Sequence, residues 1–151
     1  METPSNLTDF LSSNFDFNKK EIKHTIIRKN KNGEKCELNF VMSQIDTKEF
    51  SIILLIGRLL SGDISDYDKI SEITKTVVKT LSKYIISPDL DNIELRDSYK
   101  YSNEKEPITR EQLLLRMLNT KEIIQLLEKW FDESSNYKTD YENELEKQIK
   151  N

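Results

Sequence analysis

From Cys36 to Met42, the second of two β-prone runs, the apolar residues alternate; beyond Asp46 they recur every three or four positions. That single change of period sets the fold class, because alternation marks a half-buried strand and a 3.6-residue recurrence marks an amphipathic helix. In "EIKHTIIRKNKNGEKCELNFVM" two β-prone runs flank a turn where Gly33 supplies positive φ. On the second run Cys36, Leu38, Phe40 and Met42 point one way, and Glu37, Asn39 and Val41 the other. Two strands alone are marginal in water, so the hairpin must pack on helices or pair with another chain.

Helices account for the remainder. Asp46 and Glu49 make a capping-box pattern ahead of "FSIILLIGRLL", predicting a helix over about 47–60. In "YDKISEITKTVVKTLSKYII" the residues Ile70, Ile73, Val77, Leu81 and Ile85 form one stripe, and Pro88 ends it. A short helix through "LDNIELRDSY" carries Leu90, Ile93, Leu95 and Tyr99. Thr109 and Gln112 form a second capping box before "LLLRML", and Asn119 or Thr120 caps "KEIIQLLEKWF". A first short helix is expected over Thr8 to Phe17, with Leu7, Phe10, Leu11 and Phe15 as its apolar members. The expected fold is α+β and mostly α, an N-terminal β-hairpin packed on a bundle of four to six helices. A chain of 151 residues suits one domain with a core that needs no disulfide or metal. We expect that domain to span residues 1–131. Residues 132–151 are polar, with only Tyr137, Tyr141, Leu145 and Ile149 interspersed, and are expected to be frayed or disordered.

Three glycines and three prolines exclude collagen-like and Gly-loop nucleotide-binding architectures. One Cys36 cannot form an internal disulfide, and Cys36 with the lone His24 cannot build a zinc site. Cys36, in phase with Leu38 and Phe40, reads as a small apolar residue, and His24, within a strand pattern, as a structural or exposed histidine. "METPSNLTDFLSSNF" has neither a basic n-region nor an apolar h-region, so no secretory signal is expected. The most apolar run is broken by Gly57 and Arg58 and is far shorter than the roughly 20 residues a spanning helix needs, so no membrane is expected as a partner.

Charge is uneven. Residues 19–35 hold seven Lys and Arg against Glu21 and Glu34, in a chain of net charge −4. Such a block can touch nucleic acid, but within an acidic chain it reads as a solvated hairpin tip, and no nucleic acid is expected as a partner. Asp89, Asp91, Glu94 and Asp97 lack the spacing of an EF-hand calcium loop and suit a helix start instead. No phosphate loop, paired-cysteine motif or His-Glu-x-x-His motif is present, and no catalytic set, cofactor or metal is expected. The remaining candidates are apolar. Ile123, Leu127, Trp130 and Phe131 span more than one face of their helix, wider than a single packed stripe, so some of them are expected to remain available to a partner.

"YIISPDLDNIELRDSYKY" followed by "REQLLLRMLNTKEIIQLLEKW" resembles the tail assembly chaperones of contractile-tailed phages and defective prophages, the XkdN-like family. Members of that family carry a proline, then a leucine, then Glu-Leu-x-x-Ser-Tyr, followed by an apolar helix and a second helix beginning at an acidic residue. The matching positions are Pro88, Leu90, Glu94, Leu95, Ser98 and Tyr99, then Leu114, Met117, Leu118, Glu122 and Leu126. Lys100 stands where the family often has glycine, and the linker "KYSNEKEPIT" is longer than usual. The resemblance implies a non-enzymatic helper in the host bacterial cytoplasm. It would hold the aggregation-prone tape-measure protein while tube subunits polymerise around it, with the tail tube protein as a further contact. It also implies that Leu90, Ile93, Leu95 and Tyr99 dock between the long helix and the C-terminal pair. The competing expectation is a minor structural component of the tail or a small intracellular adaptor.

Overall fold

The expected hairpin forms from β1 (Glu21–Lys29) and β2 (Lys35–Ser43) in a computed structural model that describes residues 6–11, 13, 20–135 and 148–149. The two strands pair antiparallel without a break, from Glu21 opposite Ser43 to Lys29 opposite Lys35. Ile22, Ile26, Phe40 and Met42 share the buried face. Cys36, further out on the same face, is half-buried. At the tip Gly33 adopts a φ of 76°. There the Asn30 side-chain oxygen accepts from the backbone N–H of Asn32 at 2.9 Å and of Glu34 at 3.0 Å.

Helix α1 (Phe50–Ser61) follows a single 3-10 turn in which the Asp46 carboxylate accepts from the Lys48 N–H at 3.2 Å. Gly62, at a φ of 74°, closes it in the left-handed conformation that releases a chain from a helix. Helix α2 (Tyr67–Tyr84) is capped by Asp66. The stripe predicted to run on to Ile85 is cut short. Ile85–Ser87 is a strand, β3, which pairs antiparallel with β2 at Val41 and Met42 and gives the sheet order β1-β2-β3. The outer edge of β2 offers backbone groups that need partners, and three extended residues satisfy them there. Ile85 is therefore buried from a strand, not from the helix stripe.

Helix α3 (Ile93–Ser98) is capped by Asn92, whose side chain accepts from the Leu95 N–H at 2.9 Å. Helix α4 (Arg110–Met117) starts at the expected Thr109–Gln112 box, with reciprocal bonds of 3.1 and 2.9 Å. Helix α5 (Thr120–Ser135) is capped by Asn119, which exchanges two 2.9 Å bonds with Glu122. Of the first helix expected over Thr8 to Phe17, the described part is a 3-10 turn at Leu7–Phe10 with Leu7, Phe10 and Leu11 exposed; residues 12 and 14–17, Phe15 among them, lie outside the described residues.

The core lies where α5 meets the sheet, with α1 against α2 and α5, and α2 against α4. Trp130 is fully buried, its indole N–H donates to the Ser43 carbonyl at 3.0 Å, and its ring centroid is 5.4 Å from that of Tyr84. A Cβ on Gly57 would sit 3.5 Å from the Phe131 ring, which shows how closely α1 approaches α5 there. The expected domain end at residue 131 falls inside α5. One turn further, the buried Ser134 hydroxyl accepts from the Ile45 N–H at 3.1 Å, and Glu133 pairs with Lys20 and Lys129. The polar end expected beyond it falls mostly on residues 136–147 and 150–151, which lie outside the described residues.

Within the segment carrying the family resemblance, Leu90 is buried but Ile93 is 75 % exposed, and Leu95 and Tyr99 are half-buried. Polar fastenings explain why only one side of α3 turns inward. Arg96 donates to the Leu90 carbonyl and to Asp91, both at 2.7 Å, and Arg110 of α4 also grips Asp91. These bonds hold α3 by its acidic flank, and Ile93 projects into solvent.

Candidate functional site

The four residues from which some were expected to remain available to a partner separate by depth. Trp130 belongs to the core, where Tyr84 and the Ser43 carbonyl occupy its ring face and its one donor. Phe131 is half-buried against Gly57. Together they form no surface, because the sheet and α1 take up the helix faces on which they lie. Ile123 and Leu127 are also buried, yet they floor an open groove of about 410 Å³. Its walls come from four helices: Leu59 and Leu60 of α1, Ile70 of α2, Leu115 of α4 and Ile124 of α5. A second depression of about 270 Å³ continues it along α2, sharing Ile70, Thr74 and Leu115 and reaching Tyr67 and Val78. Leu115 and Ile124 are each 43 % exposed on its rim, and Tyr67 is more exposed still.

Leu115 and Ile124 were not singled out from the sequence, although a signal existed. Adjacent helical residues lie about 100° apart, so a run of three leucines or two isoleucines cannot all face one core. Leu113 and Leu114 take the inner face and Leu115 turns out; Ile123 turns in and Ile124 turns out.

A separate cavity of about 400 Å³ lies under the hairpin tip, lined by Cys36, Leu38, Phe40, Leu95, Tyr99 and Met117. The basic block divides around it. Arg28 points inward and forms a two-pronged bond to Glu122 at 2.8 and 2.6 Å, with a further bond to the Met117 carbonyl. That bond is the leading reason the Glu122 carboxyl sits below the usual carboxylate range. Lys23, Lys29 and Lys31 are exposed. His24 is half-buried with an unpartnered Nε2, and burial, reinforced by Lys129, lowers its pKa. Arg116 straps the loop after α3: it bonds Glu104 at 2.5 and 2.9 Å, bonds the Tyr99 carbonyl at 3.0 Å and lies 3.8 Å above the Tyr101 ring. The Arg116 bond holds the Glu104 carboxyl down at about 2.

Of the acidic run, Asp91 is held between Arg96 and Arg110, and Asp89 accepts from the Asp91 N–H at 2.9 Å. Among the described residues no three His, Cys, Asp or Glu side chains gather as metal ligands, and no helix is long and apolar enough to cross a membrane. The arrangement can bury apolar surface from a partner in the helix groove. No family model, curated protein or solved structure was found to match the chain.

Proposed function

We propose that this chain is a non-catalytic phage tail assembly chaperone that binds the tape-measure protein in the host cytoplasm through the groove between α1, α2, α4 and α5. The observation that carries the reading is that groove, open, apolar and walled by four helices, with large side chains exposed along its rim. Its form suits an amphipathic helix, which lays anchors at three- and four-residue spacing into an apolar channel. A tape measure rich in long helices exposes such stripes before the tube encloses it, and covering them suppresses aggregation. The resemblance over Pro88 to Trp130 supports the same reading. Its apolar positions Leu90, Leu114, Met117, Leu118 and Leu126 build the core behind the groove, and Glu122 both caps α5 and receives Arg28.

The test is co-expression with the cognate tape-measure protein and capture at low and high salt. Leu115→Glu and Ile124→Glu, both on the exposed rim, should abolish capture while leaving the fold intact. Lys23, Lys29 and Lys31 changed together to Ser should retain it, and high salt should not release it, since screening over a Debye length of roughly 8–10 Å weakens charge contacts but not apolar burial. Capture lost only in salt or in the Lys variant would reject the groove. Absence of a complex under every condition, with the protein present in finished tails, would favour the structural-component reading.

A further inference from the structure

We infer that the cavity under the hairpin tip is a second docking site, one that takes an extended peptide carrying apolar side chains at alternate positions and at least one acidic residue. Strand β2 is paired with β1 along all nine of its residues, but on its other side β3 pairs with it only at Val41 and Met42. The strand ends at Ser87, and among the described residues no strand lies beside Lys35–Phe40 on that side. Five consecutive residues, Cys36 to Phe40, line the cavity. Successive side chains of a strand point to opposite faces, so a space touched by all five lies along the strand's edge. What borders it is therefore a row of backbone donors and acceptors, the chemistry that recognises another extended backbone.

The side chains specify the rest. On the inward face Cys36, Leu38, Leu95, Tyr99 and Met117 make an apolar floor, which accepts every second residue of a peptide continuing the line of β3. The rim is basic in an otherwise acidic chain. Residues 28–37 contain Arg28, Lys29, Lys31 and Lys35 against Glu34 and Glu37, while the net charge of the chain is −4. Arg28 is engaged by Glu122 and Lys35 lies 3.7 Å from Glu37, leaving Lys29, which lines the cavity, and Lys31 to meet an acidic residue of the peptide. The site shares no residue with the helix groove and does not depend on its role.

A ribosome-displayed library of random heptapeptides, panned on the full chain, tests the inference. Enriched sequences should alternate apolar with polar residues and include Asp or Glu. The synthetic winner should slow hydrogen exchange at the backbone amides of Lys35, Glu37 and Asn39, which face away from β1, by about tenfold or more, and N-methylation of its alternate amides should weaken binding by about tenfold, because β-addition rests on main-chain hydrogen bonds. Lys29→Glu should weaken it roughly threefold or more, whereas Leu115→Glu in the helix groove should leave affinity within about twofold. Failure to enrich any peptide, protection confined to other amides, indifference to N-methylation, or protection of those three amides by dimerisation without peptide would overturn the assignment.

Discussion

Arg28 shows how far one residue can depart from its neighbours. It belongs to the basic block, yet its strand phase is that of Ile22 and Ile26, so it points inward and must find a partner there. Glu122, only 7 % exposed and 94 residues away, supplies it. The inward phase was legible in the sequence, whereas the partner was not, because nothing local to Arg28 signals a carboxylate at the start of α5. Removing the arginine strands a nearly buried carboxylate that retains only its Asn119 cap. Because the Arg28 side chain is itself about one-third exposed, Arg28→Ala should cost about 2–3 kcal/mol, below the range for fully buried pairs. Lys29→Ala should stay within about 0.5 kcal/mol, as exposed substitutions do. Urea unfolding of the two variants checks this; equal midpoints would show that Glu122 is solvated by other means.

Among the elements, those with a local signature were readable and those made by distant partners were not. The hairpin and the Thr109 capping box follow from alternation and cap and form as expected, and α2 follows its stripe as far as Tyr84. Strand β3 continues the apolar stripe of α2 without interruption, and only the backbone of Val41 and Met42, more than forty residues earlier, makes it extended. The groove was half-legible: its floor residues Ile123 and Leu127 stand among the sequence candidates, whereas its exposed rim residues Leu115 and Ile124 do not, and Trp130 of the same set is buried by the sheet. The last turn of α5 was hidden for the same reason, since Ser134 is polar and its burial depends on Ile45. Truncation after Phe131 removes Ser134, stranding the buried Ile45 N–H, and takes Glu133 from Lys20 and Lys129, at a cost of about 1–3 kcal/mol for the unsatisfied buried group. For a domain of this size the melting temperature should fall by roughly 2–12 °C. Truncation after Ser135 should leave it nearly unchanged, and a similar fall in both would place the stabilising contacts beyond residue 135.

Over the whole molecule the shifted groups act in one direction below neutral pH, while Tyr84, raised chiefly by burial, loses its contribution only in alkali. His24 is held below its ordinary 6.5, so the unfolded chain takes up its proton first as pH falls, and stability present above about 6.5 declines below it. Glu122, Glu133, Asp91 and Glu104 are depressed carboxyls, led in each case by a hydrogen bond from an arginine or lysine, and their contribution is lost as pH falls below the ordinary carboxylate range, for Glu104 towards about 2. Thermal melts should therefore decline in two stages, one below neutrality and one below about pH 4.5. His24→Leu should flatten the first stage alone; an unchanged slope between pH 7.5 and 5 would move that stage to another group. The direct passage of α2 into β3 has a mechanical consequence. Tyr84 is helical and Ile85 is already in the sheet, so no hinge residue separates them. Helix α2, about 27 Å long at 1.5 Å per residue, is a stiff rod with the helix groove beside its first turns and the tip cavity just beyond its last. With no hinge at the junction, any tilt of that rod must be taken up by β3 and its pairing with β2.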